Sequence, residues 1–106
     1  MQFTYINNLK QGGTIYGIYV LRNKELKEAS NKKLFLDLVF VDSTGEISGK
    51  IWDANEELYN SLVLNKIYNI YARVDKWKEA LQLNIIKMQL AEQRVQDKIA
   101  EFVPSA

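Results

Sequence analysis

Between Leu34 and Asp42 the chain alternates. Leu34, Leu36, Leu38 and Phe40 fall on one side, and Phe35, Asp37, Val39 and Val41 on the other. A period of two marks a strand with one buried face, and Asp37 identifies the solvent side, so the leucines and Phe40 point inward. Ser43-Thr44-Gly45 interrupts the run as a tight turn, and Glu46 to Trp52 returns as the partner strand of a hairpin. On that strand Ile47, Gly49 and Ile51 share the inner face, while Ser48, Lys50 and Trp52 share the outer one. Upstream, Thr14 to Leu26 is rich in Ile, Tyr and Val and reads as a long first strand, with Gly17 a bend or close-approach point inside it. Ile6-Asn7-Asn8-Leu9 before it reads as a short helical turn, and Glu28 to Lys32 as a loop.

Beyond Trp52 the period changes. Asp53 or Asn55 can cap a helix whose first turn holds Glu56 and Glu57 and whose apolar stripe is Leu58, Tyr59 and Leu62. Asn65-Lys66 ends it. Alternation then resumes from Ile67 to Asp75 and, after a turn over Lys76 to Ala80, from Leu81 to Met88. Three strands, one helix and two strands is the order of the all-β, five-stranded OB-fold barrel, with its helix between strands 3 and 4. An SH3-like barrel is the rival, but it does not usually place a helix there. The barrel is assigned to residues 1–90. Residues 91–106 read as a polar tail or linker, with a helical turn before Pro104, leading toward a domain absent from this chain.

Trp52, just before the helix, is expected to pack beneath it. The second and third strands form the ligand face of an OB barrel, and the loops joining strands one to two and four to five flank it. Net charge is +1 over the 106 residues, yet it is unevenly spread. Residues 22–33 and 66–87 each carry +3, while residues 37–57 carry −5. The two basic segments are the two flanking loops with their strand ends. Local potential, rather than the total, is what attracts a polyanion.

The chain has no cysteine and no histidine. Disulfides, thiolate or imidazole metal sites and histidine-based catalysis are thereby excluded. The carboxylates are dispersed, and Gly12-Gly13 precedes a strand rather than a helix, so no phosphate loop is formed. No catalytic residue, metal site or cofactor is expected. No apolar run approaches the ~20 residues that span a bilayer, and the first residues lack the features of a signal peptide, so a cytoplasmic location and no membrane partner are expected.

Single-stranded nucleic acid is held by a basic groove and by aromatic faces that stack on bases. Trp77, bracketed by Lys76 and Lys78, is the sharpest stacking candidate; its alternative is a lid on the barrel end. Phe35 is a second ring, either for stacking or for packing under the first loop. Asp37 and Ser48 share the outer face and can address base edges. Lys50, Arg73, Lys24, Lys32, Lys33, Lys76 and Lys78 are phosphate candidates, which need reach more than exact geometry. Tyr19, on the long first strand, can serve the core or the face.

The stretches Gly17-Ile18-Tyr19-Val20-Leu21, Lys24-Glu25-Leu26, Ala29-Ser30-Asn31-Lys32-Lys33-Leu34-Phe35-Leu36, Asp42-Ser43-Thr44-Gly45-Glu46-Ile47 and Lys50-Ile51-Trp52-Asp53 resemble the N-terminal OB domain of the YhaM-like 3′-to-5′ exoribonucleases. The likeness continues through Trp77 and Gln82-Leu83, and Phe102-Val103-Pro104-Ser105-Ala106 is similar to the junction with that family's catalytic HD domain. The resemblance implies an RNA-binding module whose partner is a metal-bearing HD domain that cleaves phosphodiesters. It transfers no activity to a chain without histidine. The leading expectation is a module for single-stranded RNA or DNA. The alternative is a protein-interaction or homo-oligomerisation module, suggested by Val39, Val41, Tyr71 and Ile86 on faces otherwise expected to be polar.

Overall fold

The computed structural model describes residues 3–103. A short 3-10 turn, Ile6–Asn8, leads into β1 (Thr14–Glu28), β2 (Leu34–Asp42) and β3 (Gly45–Trp52). Helix α1 (Glu56–Ser61) follows, then β4 (Ile67–Trp77) and β5 (Ala80–Leu90), and finally α2 (Gln93–Gln96) and a 3-10 turn, Ile99–Phe102. The strands close into a barrel in the order β1-β2-β3-β5-β4. This is the expected OB barrel, with its helix between the third and fourth strands.

Closure depends on β1 serving two neighbours. Thr14 to Val20 pairs with β4, and Val20 to Glu28 pairs with β2. A bulge between Leu21 and Asn23 bends the strand from one partner to the other. The last seam is parallel, Ser48 to Lys50 of β3 against Gln82 to Asn84 of β5. Tyr19, Leu21, Leu36, Leu38, Phe40, Ala72, Val74 and Leu83 fill the interior. Two glycines make room for its largest rings. The Tyr19 ring lies where a Gly17 side chain would be, and a Cβ on Gly49 would meet Phe40 at 2.7 Å.

Polar groups close the ends of the barrel. Buried Asp42 accepts from the Ile6 N–H at 2.8 Å and from the Thr44 and Gly45 N–H groups at 2.8 and 3.1 Å, tying the first turn to the β2–β3 hairpin. The Asn55 side chain caps α1 by accepting from the Leu58 N–H at 2.7 Å, and Leu62 enters the core. At the helix C-terminus, where Tyr59 O keeps only a long 3.4 Å bond from the Leu62 N–H, Lys24 meets the carbonyls. Its ammonium donates to Tyr59 O and Leu62 O at 2.7 and 2.8 Å.

Two expectations change. The turn assigned to Lys76–Ala80 shrinks to Lys78-Glu79, because both residues adopt positive φ (49° and 70°) and form a two-residue hairpin whose twist matches its strands. The segment from Ala91 is no loose tail up to Val103. Ala91, Val95, Ile99, Phe102 and Val103 pack on Ile18, Val20, Val41 and Ile67 outside the barrel. Buried Gln96 accepts from the Ile67 N–H and donates to Ile67 O, both at 2.8 Å. Of the junction read at Phe102–Ala106, residues 104–106 lie outside the described residues. Among the described residues no helix is long and apolar enough to cross a membrane.

Candidate nucleic-acid interface

Alternation along β2 and β3 sends Phe35, Asp37 and Val39 outward beside Trp52, Lys50 and Ser48, each facing its cross-strand partner in register. Phe35 and Trp52 form one end of this wall, their ring centroids 5.0 Å apart and their planes tilted by 35°. Trp52 keeps 51% of its surface exposed, and Phe35 is half-buried beside it. The Lys50 ammonium lies 5.3 Å from the centre of the Phe35 ring, within cation–π range.

Charge is concentrated one step along the strands. The Asp37 carboxylate receives Lys27 at 2.9 Å and Lys50 at 3.4 Å. Partial burial pushes the Asp37 carboxyl up, but the hydrogen bonds and positive charges of the two lysines outweigh it and hold the group below the usual carboxylate range. Lys27 is raised in turn by its hydrogen bond to Asp37. Lys27 also approaches Glu25 at 3.5 Å, so the two lysines are balanced by two carboxylates, and their ammonium groups stand on the wall as ion-paired cations.

A polar chain crosses the barrel seam. The Trp52 indole N–H donates to Asn84 Oδ1 at 3.0 Å. The Asn84 amide nitrogen donates to Asp75 Oδ2, which also receives Arg73 Nε at 3.0 Å. The hydrogen bonds from Arg73 and then Asn84 hold the Asp75 carboxyl below its usual value. Farther along β4, Trp77 stands 60% exposed, with the Lys78 ammonium 5.5 Å from its ring centre.

At the other end, the β1–β2 loop borders a cleft of about 200 Å³ lined by Ala29, Asn31, Lys33, Leu34, Trp52 and Asp53. Lys33 approaches Asp53 at 3.8 Å. Lys32, at φ 66°, is exposed, and among the described residues it pairs with no carboxylate.

Phe35, Asp37, Ser48, Lys50 and Arg73 thus share one wall, with Lys32 and Lys33 at one flank and Trp77 and Lys78 at the other. Lys76 belongs to the opposite side of β4 from Trp77 by alternation and pairs with Glu79 at 3.7 Å. Two further candidates leave the interface. Tyr19 is wholly buried, and its hydroxyl donates to Thr4 O at 2.7 Å; burial, aided by the charge of Asp42, raises its pKa. Lys24 is committed to the α1 carbonyls and lies 4.3 Å from the Tyr59 ring centre, so it caps a helix instead of meeting phosphate.

Trp52 corrects the expectation in the other direction. It does not pack beneath α1; it is the best-oriented ring on the wall, and its alternation with Ser48 and Lys50 was the signal for that. Lys27 and Asn84 were not singled out, because a lysine and an asparagine on a strand carry no sign of their partners.

The sequence matches no protein-family model. Over 90 residues it is 26% identical to the 3′-5′ exoribonuclease YhaM of Oceanobacillus iheyensis, a match covering 85% of this chain and 28% of that protein. Over 95 residues it is 30% identical to YhaM of Halalkalibacterium halodurans, covering 90% of this chain and 30% of the other. The chain therefore spans less than a third of the length of the curated relatives it matches. In structure it is similar to a domain of replication protein A from Methanococcus maripaludis, with a TM-score of 0.70, 22% identity, and coverage of 86% of this chain and 97% of that one. A replication protein A heterotrimer bound to single-stranded DNA also superposes, with a TM-score of 0.62, 14% identity, and coverage of 90% and 70%.

Proposed function

We propose, for an OB barrel that resembles the YhaM exoribonucleases over most of its sequence, that the outer wall of β2, β3 and β5 binds single-stranded nucleic acid, RNA foremost. The observation that carries this reading is Trp52. A large ring on a strand face is held half-exposed by Phe35 on one side and Asn84 on the other, next to the Lys27 and Lys50 ammonium groups that share Asp37. That combination offers a stacking surface already set in orientation beside positive charge, which is how unpaired strands are bound with little sequence preference. Trp77 and Lys78 extend the wall at one end, and Lys32 and Lys33 at the other.

In this reading the chain is the substrate-holding part of a 3′-to-5′ exoribonuclease. The metal and the hydrolytic chemistry belong to an HD domain beyond these residues, and a tethered binding domain raises the effective concentration of the RNA 3′ end there. The barrel contributes grip and orientation, and it touches no reacting bond.

Fluorescence anisotropy of labelled single-stranded RNA tests the proposal. Binding that weakens with salt, falls with Trp52→Ala and is poor for a duplex of the same sequence supports it. A wild-type chain that fails to bind at low salt overturns it.

A further inference from the structure

The outer wall of the barrel does not end at Arg73. Two residues further back along β4, on the same side, Tyr71 meets Tyr16 of β1, with ring centroids 4.6 Å apart and planes tilted by 32°. The two rings border a groove of about 270 Å³, completed by Phe3, Asn69, Lys87 and Gln89. Phe3 and Tyr16 are exposed.

Building on the interface proposed above, we infer that this groove is a second base-binding subsite, occupied by the same strand after it crosses β4. Four observations converge. Strand register makes the path continuous, since Asn84, which holds Trp52, pairs with Arg73, and Tyr71 pairs with Lys87. Side chains two residues apart on one strand face stand about 7 Å apart, so exposed Arg73 bridges the ring clusters as a phosphate contact. The lining includes a lysine and no carboxylate, which suits a polyanion and disfavours a basic peptide. Asn69 and Gln89 face each other in register, and among the described residues neither amide bonds another side chain, leaving both for base edges. The docked segment after β5 packs on Val20, Val41 and Ile67 and so covers a different part of the wall.

A strand running over both clusters occupies more nucleotides than one seated on Trp52 alone. Anisotropy with labelled oligouridylates from about 4 to about 16 nucleotides, the range of site sizes known for OB folds, reads this directly. Wild type is expected to gain affinity with length before levelling off. Tyr16→Ala should leave the shortest oligonucleotide unaffected and weaken the longer ones by about 5-fold or more, and Lys87→Gln should do so by a smaller factor. Thermal unfolding checks that Tyr16→Ala folds, and exposed Lys87 gives a variant with little structural risk. Trp52→Ala should weaken every length. If Tyr16→Ala and Lys87→Gln bind all lengths as wild type does while Trp52→Ala fails, the groove is not part of the path, yet the first interface stands. If light scattering shows a dimer that Tyr16→Ala dissociates, the groove is a self-association surface and the inference is overturned. No binding by wild type at any length removes both proposals together.

Discussion

The Trp52 indole N–H donates to Asn84 Oδ1 across the β3–β5 seam at 3.0 Å, and this bond settles two orientations together. Indole nitrogen only donates, so the Asn84 oxygen must face it and the amide nitrogen must face Asp75. The ring is thereby locked at an angle to Phe35. Asn84→Leu keeps the strand but frees the ring. RNA affinity should fall about 3- to 10-fold, short of the loss in Trp52→Ala, which removes a stacking surface worth about 1–3 kcal/mol. The Trp52 indole N–H resonance should shift in Asn84→Leu while the fold is retained. Unchanged affinity alongside a shifted resonance would show that ring orientation is irrelevant to binding.

Asp37 restrains the positive charge of the wall. Its folded-state pKa is depressed, so its ion pairs contribute stability above the ordinary carboxylate range and lose it as pH falls through the Asp37 titration. Asp37→Asn should lower stability at neutral pH by less than about 1 kcal/mol, since the pairs are partly exposed. The gap to wild type should close on acidification. Releasing Lys27 and Lys50 should tighten RNA binding about 2- to 5-fold and steepen its salt dependence. Weaker binding by Asp37→Asn would instead assign the carboxylate a direct bond to a base.

The barrel was legible because β2 to β5 alternate over most of their length, which reports burial directly, while β1, with Tyr19, Val20 and Leu21 all buried in a row, declared itself by its Ile, Tyr and Val content. Trp52 was in principle equally legible, as it shares a face with Ser48 and Lys50, but its place before a helix suggested packing there. Tyr19, open between core and face, and Lys24, read as a phosphate contact, were less legible for a different reason. Whether a tyrosine on a doubly paired strand points inward depends on where the strand bends, and a lysine reaching carbonyls 35 and 38 positions away leaves no local mark. The docked segment escaped notice because its apolar residues, Val95, Ile99, Phe102 and Val103, are separated by charged ones and its anchor is a glutamine.

That anchor makes a demanding test. The Gln96 amide accepts from the Ile67 N–H and donates to the carbonyls of Ile67 and Ala91, at 2.8, 2.8 and 3.1 Å, in a buried setting. Gln96→Ala leaves those groups without partners and should cost about 1–3 kcal/mol in chemical denaturation. Gln96→Glu should cost more at neutral pH, because a carboxylate then faces two carbonyl oxygens, and the excess should shrink on acidification as the group becomes a donor. Equal stability of wild type and Gln96→Ala would mean that the segment is not held by this contact.

The β4–β5 hairpin separates binding from folding. Glu79 sits at φ 70°, where glycine is free of strain, and its side chain is turned to solvent, contacting only the exposed Lys76 ammonium at 3.7 Å among the described residues. Glu79→Gly should therefore stabilise the chain by a few tenths of a kcal/mol up to about 1 kcal/mol, because a primed two-residue turn favours glycine there. It also removes a negative charge beside Lys76, so RNA affinity should rise slightly. Trp77→Ala behaves oppositely. The ring is 60% exposed, so thermal stability should hardly move, while affinity should drop by about 5-fold or more if bases stack on it. Thermal melts and anisotropy on the two variants make the comparison. A Trp77→Ala protein that melts early yet binds as wild type does would make the ring a lid on the barrel and confine the interface to Trp52.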